Sequence, residues 1–155
     1  TILRFFNIYG PKSNAVISTF LAQQIQNKTI TIFGNGQQKR DFLYIEDLCD
    51  AILKILVNKK SKNETYNLGS GKSISINELR RKLSCNNFIN LDKRNNDIEV
   101  SIANISKIKK HLNWFPKISI EEGLKKTLEN DKNRLKKMNV LTISELKRII
   151  KKFNN

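Results

Sequence analysis

The apolar positions of this chain fall into alternating strand-like and helix-like runs. Residues 2–8 (Ile2-Leu3-Arg4-Phe5-Phe6-Asn7-Ile8) are largely apolar and alternate poorly. That pattern predicts a strand covered on both faces, as in a parallel sheet. Gly10-Pro11 ends it. Ser13 or Asn14 caps a helix whose apolar face carries Ile17, Phe20, Leu21 and Ile25. Thr29-Ile30-Thr31-Ile32-Phe33 reads as a second strand, rich in β-branched and aromatic residues. Gly34-Asn35-Gly36 tolerates positive φ and predicts a tight reversal. A third strand follows over about 40–45, and Glu46 and Asp47 open a helix over about 46–58 that buries Leu48, Ala51, Ile52, Ile55 and Leu56.

Lys59, Lys60 and Lys62 mark a solvated loop. Thr65-Tyr66-Asn67-Leu68 is a short strand stopped by Gly69-Ser70-Gly71. Ser75-Ile76-Asn77-Glu78 is a capping box opening a helix through about Leu83, and Phe88-Ile89-Asn90-Leu91 is a weak strand. Asn104 caps a helix using Ile105, Ile108 and Leu112, which Trp114-Phe115-Pro116 breaks. Ser119-Ile120-Glu121-Glu122 is a second capping box, with Leu124 and Leu128 on the buried side. Residues 131–139 are a polar, basic linker. Thr142-Ile143-Ser144-Glu145 is a third box, whose helix places Leu146, Ile149, Ile150 and Phe153 on one face. There is no internal repeat. The fold class is α/β.

With 155 residues and 39% hydrophobic content, the chain can bury one sizeable core and is not disordered for most of its length. The net charge of +15 raises nucleic acid or an acidic membrane as partners. Its distribution argues otherwise. Residues 1–100 carry 15 basic and 9 acidic side chains, and residues 101–155 carry 14 and 5. An excess spread along a chain rich in Lys, Asn and Ile reads as a compositional bias, so no nucleic-acid partner is expected. Cys49 and Cys85 are too far apart for a metal knuckle and read as reduced core residues of a cytoplasmic protein, a disulfide being the alternative. His111, the single histidine, has no second ligand near it. No apolar run is long enough to span a membrane, and no signal peptide is visible. The first residue is Thr1 and the one methionine is Met138, which suggests a chain cut out of something longer.

Arg40 is the first candidate for chemistry. A guanidinium at a turn-to-strand boundary suits a bidentate grip on phosphate, and the alternative is a surface Arg paired with Asp41. The familiar nucleotide motifs fail. Gly69-Ser70-Gly71-Lys72-Ser73 lacks the earlier glycine of a P-loop, since Tyr66 stands there, and Gly34-Asn35-Gly36 meets Lys39 where a dinucleotide loop needs glycine. No Tyr is followed four residues later by Lys. The chain shows no catalytic constellation of its own.

Several blocks in order nevertheless resemble one family. They are Leu3 to Pro11, Ile30 to Gln37, Arg40-Asp41-Phe42-Leu43-Tyr44-Ile45-Glu46-Asp47, Tyr66 to Gly71, Arg94 with Asp97, and Leu112, Trp114, Pro116 and Glu121-Glu122-Gly123-Leu124. Residues 2–130 resemble the C-terminal half of an NAD-dependent nucleotide-sugar epimerase/dehydratase, an extended short-chain dehydrogenase/reductase of the UDP-glucose 4-epimerase-like kind. The resemblance implies the last part of a Rossmann-type sheet plus a small mixed α/β substrate-binding lobe over 1–130. A basic linker and amphipathic helix at 131–155 lie outside it. It further implies that NAD serves the complete enzyme but does not bind this chain alone, because the Gly-rich loop and the Tyr-x-x-x-Lys pair belong to the other half. The implied partners are a UDP-, dTDP- or GDP-linked sugar and a separate N-terminal Rossmann half.

By resemblance, Asn7 matches a residue touching substrate near its diphosphate, and Phe5 and Phe6 match residues bordering the nicotinamide. Arg40 and Arg94 match two diphosphate arginines, and Asp97 matches the acid that binds ribose hydroxyls. Asn7 could instead bond to backbone at a strand end, and Asp97 could pair locally with Arg94. The chain departs from the family at Asn96 and Asn113, where glycine is usual, and at Asn104, where aspartate is frequent. Two other readings stay open: a stand-alone or degenerate nucleotide-sugar or polyanion-binding module without catalysis, and a basic 131–155 segment that docks on a partner rather than packing back on the domain.

Overall fold

A computed structural model of the chain describes residues 1–131, apart from Asn14, Asn27 and the side chain of Ile25. The expected roles of Asn14 as a cap, of Ile25, and of the linker and helix beyond 131 lie outside the described residues. The elements are β1 (Ile2–Phe5), β2 (Asn7–Tyr9), α1 (Val16–Ile25), β3 (Ile30–Phe33), β4 (Lys39–Arg40), β5 (Phe42–Tyr44) and α2 (Ile45–Val57). They continue with β6 (Thr65–Leu68), β7 (Ile74–Ser75), α3 (Ile76–Lys82), β8 (Phe88–Leu91) and α4 (Ser106–Leu112). A further helix, α5, includes residues 120–131.

Three strand pairs are parallel, β1 with β6, β2 with β5 and β3 with β8, and β4 pairs antiparallel with β7. The first strand is therefore not one piece. Its partner changes at Phe6, whose N–H donates to Leu68 O, while the next N–H, from Asn7, donates to Asp41 O. The third expected strand is also split, at Asp41. Lys59–Ser61, expected as loop, forms a 3-10 turn with Asn58 Oδ1 accepting from Lys60 N.

β5 divides two hydrophobic clusters. Its side chains alternate in direction, so Phe42 and Tyr44 join Tyr9, Ile17, Phe20, Ile32, Leu79 and Leu124 on one side, and Leu43 joins Leu48, Ala51, Tyr66, Ile108 and Trp114 on the other. The serine half of two expected capping boxes forms: Ser75 Oγ accepts from Glu78 N at 3.0 Å, and Ser119 Oγ accepts from Glu122 N at 3.1 Å. Asn104 Oδ1 accepts from Ser106 N at the start of α4. Asn96 and Asn113 stand at φ 60° and 47°, left-handed conformations that asparagine tolerates better than most residues do.

Three expectations are corrected. β1 is not covered on both faces: Ile2 and Phe5 are 62% and 54% exposed, because among the described residues nothing packs on its outer side. Leu56 is 74% exposed and Cys49 is exposed too, whereas Cys85 is buried as expected. The buried stripe of α2 is Asp47, Leu48, Ala51 and Ile55, and at 100° per residue Cys49, Leu53, Leu56 and Val57 fall on the opposite side as a second, outward apolar stripe.

Candidate site around Arg40 and Asp97

The candidate site grows from the stretch Lys39-Arg40-Asp41-Phe42. β4 carries Arg40 to the side of the extended segment 97–103, where Lys39 N donates to Glu99 O at 2.7 Å and Ser101 N donates to Lys39 O at 3.0 Å. The Arg40 Nη1 group donates to Ile98 O at 2.5 Å and Lys39 O at 2.9 Å, and Nη2 pairs with Asp97 Oδ1. Both side chains of this pair are 17% exposed, so solvent screens it less than a surface pair. Three of the five guanidinium N–H groups are engaged. The Nε–H and one Nη2–H have no partner among the described residues, and together they can hold an oxyanion.

Arg40 thus pairs with Asp97 and not with its neighbour Asp41, and Asp97 does not pair with Arg94 through its side chain. The Asp97 N–H closes a turn onto Arg94 O at 3.3 Å. The Arg94 guanidinium lies over the Phe33 ring, 3.8 Å from its centroid, an arrangement suited to a cation–π contact. The two arginines therefore do not share one set of bonds. Asn7 binds backbone, its Nδ2 donating to Asp41 O at 2.9 Å. Phe5 is exposed on β1 and Phe6 is half-buried at the partner switch, outside this network.

Asp41 itself is fully buried, and its carboxylate accepts four hydrogen bonds. They come from Ser70 N at 2.6 Å, Ser70 Oγ at 2.7 Å, Gly71 N at 2.9 Å and Ala103 N at 3.0 Å. Sequence reasoning saw Asp41 only as a pairing partner for Arg40. The signal available was a lone carboxylate entering an apolar strand run, Phe42-Leu43-Tyr44. Phe33, too, was seen only as a strand residue.

Arg40 also borders an open groove of about 550 Å³. Phe42, Ile74 and Phe115 line it together with Lys72, Lys109 and Lys117. Lys82 in its wall is neutralised by Glu121 at 2.5 Å, which holds the Glu121 carboxyl below the usual carboxylate range. His111 Nδ1 lies 3.2 Å from Tyr66 Oη. Among the described residues no group of three or more His, Cys, Asp or Glu could hold a metal, and no helix is long and apolar enough to cross a membrane.

The family described as NAD dependent epimerase/dehydratase matches residues 1–69. A UDP-glucuronate 4-epimerase of Thermodesulfobacterium geofontis is 39% identical over 145 residues, covering 87% of this chain and 44% of the relative. A putative UDP-glucose 4-epimerase of Methanocaldococcus jannaschii is 37% identical over 142 residues, covering 85% and 45%. The crystal structure of the Thermotoga maritima UDP-glucose 4-epimerase with UDP-glucose superposes with a TM-score of 0.79 at 31% identity, covering 86% of this chain and 46% of that one. The chain thus spans less than half the length of these relatives. It is α/β and reproduces part of their Rossmann-like fold. In sequence and fold the chain is thus similar to the NAD-dependent epimerase/dehydratase family, whose model its residues 1–69 match.

Proposed function

We propose that this chain is the nucleotide-sugar-binding portion of an NAD-dependent sugar epimerase or dehydratase, and that turnover requires an NAD-binding half in addition. The observation that carries the reading is Arg40. Its guanidinium is held by Asp97 and Ile98 O with two N–H groups left over, the arrangement a diphosphate needs. Asn7, Arg94 and Asp97 are the accompanying substrate residues. Relatives support the substrate class: the Thermotoga maritima structure contains UDP-glucose, and that of a Bacillus cereus UDP-glucuronic acid 4-epimerase contains UDP-glucuronic acid and NAD.

The residues present do not fit NAD. The one glycine turn that resembles a phosphate cradle spends its amides on Asp41, since Ser70 N and Gly71 N both donate to that carboxylate. The other, Gly34 to Gly36, opens no helix, and a Cβ on Gly36 would stand 2.6 Å from Asn77 Oδ1. We assign no NAD phosphate cradle to this chain; Phe5 and Phe6 are proposed to border the nicotinamide of a cofactor held elsewhere. The exposed Ile2 and Phe5 of β1 and, separately, the exposed Leu53, Leu56 and Val57 of α2 are apolar positions that a further strand and helix could cover, and that favours a complementing half over a stand-alone module.

The test is calorimetric titration of UDP and of NAD into the 155-residue chain and its Arg40→Gln variant. UDP binding that falls at least tenfold in Arg40→Gln, with no NAD heat and no epimerisation by the pure chain, is expected. Equal UDP affinity in both proteins would overturn the site, and turnover by the pure chain would overturn the division of labour.

A further inference from the structure

We propose that Asp41 is the positioning residue of the diphosphate site, setting Arg40 and its acceptors in place without touching substrate. The inference rests on the nucleotide-sugar reading of Arg40. A buried carboxylate with no cation beside it is costly unless its oxygens are filled with hydrogen bonds. Asp41 has its four, two on each oxygen. They come from segments 29, 30 and 62 residues away, and its carbonyl takes two more from Asn7, 34 residues away. Residue 41 is therefore where β2, the 69–71 turn and the 97–103 segment are tied together.

The consequence for Arg40 is geometric. Its acceptors Asp97 and Ile98 O lie at one end of the 97–103 segment, and the Ala103 N–H, bound to Asp41, lies at the other. Between them, Lys39 makes the two backbone bonds that align this segment with β4. Arg40 and its acceptors are thus carried by two strands of chain whose relative position Asp41 fixes. Asn7 is locked to the same residue. The turn approaches closely: a Cβ on Gly69 would stand 2.8 Å from Asp41 Oδ2, so only glycine at 69 leaves the carboxylate its place. An asparagine in its place would present an NH2 group to two backbone or hydroxyl donors. With that NH2 toward Ser70 the hydroxyl can turn and accept, but the Ser70 N–H loses its acceptor and is pushed away; the opposite orientation loses the Gly71 and Ala103 bonds.

The experiment compares UDP with uridine, which lacks the phosphates, on the native protein as made in its cell. In Asp41→Asn, UDP affinity should fall roughly ten- to hundredfold, the range of a lost charge-assisted grip, while uridine affinity stays within twofold. Ser70→Ala removes one hydroxyl donor and spares the backbone bonds. It should show a smaller loss in the same direction with its melting transition preserved. If UDP and uridine weaken together in Ser70→Ala, Asp41 is merely structural and the proposal is overturned. Arg40→Gln separates this from the parent reading, because undiminished UDP binding there would refute the diphosphate site itself. In that case Arg40 is read directly. In 15N-arginine-labelled protein its Nη signals should be resolved in the native chain and averaged by fast rotation in Ser70→Ala, and unchanged signals would refute the positioning role.

Discussion

Placing a single methyl group on Gly123 tests the packing that seats α5 against the strands carrying the site. In an open helix, Gly→Ala stabilises by about 1 kcal/mol. Here the new Cβ would overlap Tyr9 Oη, and it would stand 2.8 Å from Tyr9 Cζ and 3.0 Å from Tyr44 Cδ2. Tyr9 cannot swing away. It is 1% exposed and stacks edge-on against Phe42 and Tyr44, with ring centroids 6.3 Å and 5.3 Å apart. The helix must lift instead, loosening Leu124, which is 5% exposed. Overpacking a rigid site costs about 3 kcal/mol, the upper end of the usual range, so the net loss in Gly123→Ala is about 2 kcal/mol. For a domain of this size that lowers Tm by about 4–8 °C. The assay is thermal unfolding followed by circular dichroism. The double variant Gly123→Ala with Tyr9→Phe, which removes the overlapped oxygen, should recover part of the loss. A Gly123→Ala protein as stable as the parent, or more so, would refute the reasoning.

The same tyrosine predicts an alkaline limit. Burial, then the neighbouring Tyr44, Asp47 and Glu121, hold the Tyr9 phenol far above its ordinary value of about 10. The folded state keeps the proton while the unfolded state releases it, so stability falls as pH rises above about 10. Urea titrations at pH 9 and 11 should show a smaller drop in Tyr9→Phe than in the parent. Asp47→Asn should cost about 1–3 kcal/mol, because the buried carboxylate accepts from Lys117 N and Ile118 N, both at 3.0 Å, and the amide can serve only one of them well. A urea midpoint within error of the parent would contradict that. Ser75→Ala removes the oxygen that accepts from Glu78 N at the start of α3 and should lower stability by about 1 kcal/mol. Helix content near 222 nm, followed through unfolding, checks it.

Much of the local architecture was legible because its causes lie within a few residues. Ser75 with Glu78, Ser119 with Glu122 and Asn104 with Ser106 are caps whose donor and acceptor sit two or three positions apart. The strands over 30–33, 65–68 and 88–91 announce themselves by composition. Asn96 and Asn113, read as departures from a glycine pattern, do occupy left-handed conformations. The resemblance of separated blocks named the family and pointed to Arg40, Asp97 and Asn7, which the fold draws around residue 41.

Other features depend on partners far away in sequence. Nothing local distinguishes Cys49 and Leu56 from the inward residues of α2, since both sides of that helix carry apolar side chains and only the neighbours decide which is buried. The two residues of β7 have too little pattern to read, and they become a strand because β4 lies beside them. Asp41 looked like a partner for Arg40 until the turn at 69–71 and the segment ending at Ala103 supplied four donors. The sequence by itself determined most helices, the strands over 30–33, 65–68 and 88–91, the Ser75 and Ser119 caps and the resemblance to a family, because hydrogen bonds and side-chain periodicity within a turn or two suffice for these. Which charge meets which, and which apolar face is covered, was decided by tertiary structure alone, because those energies arise between residues 29 to 62 positions apart.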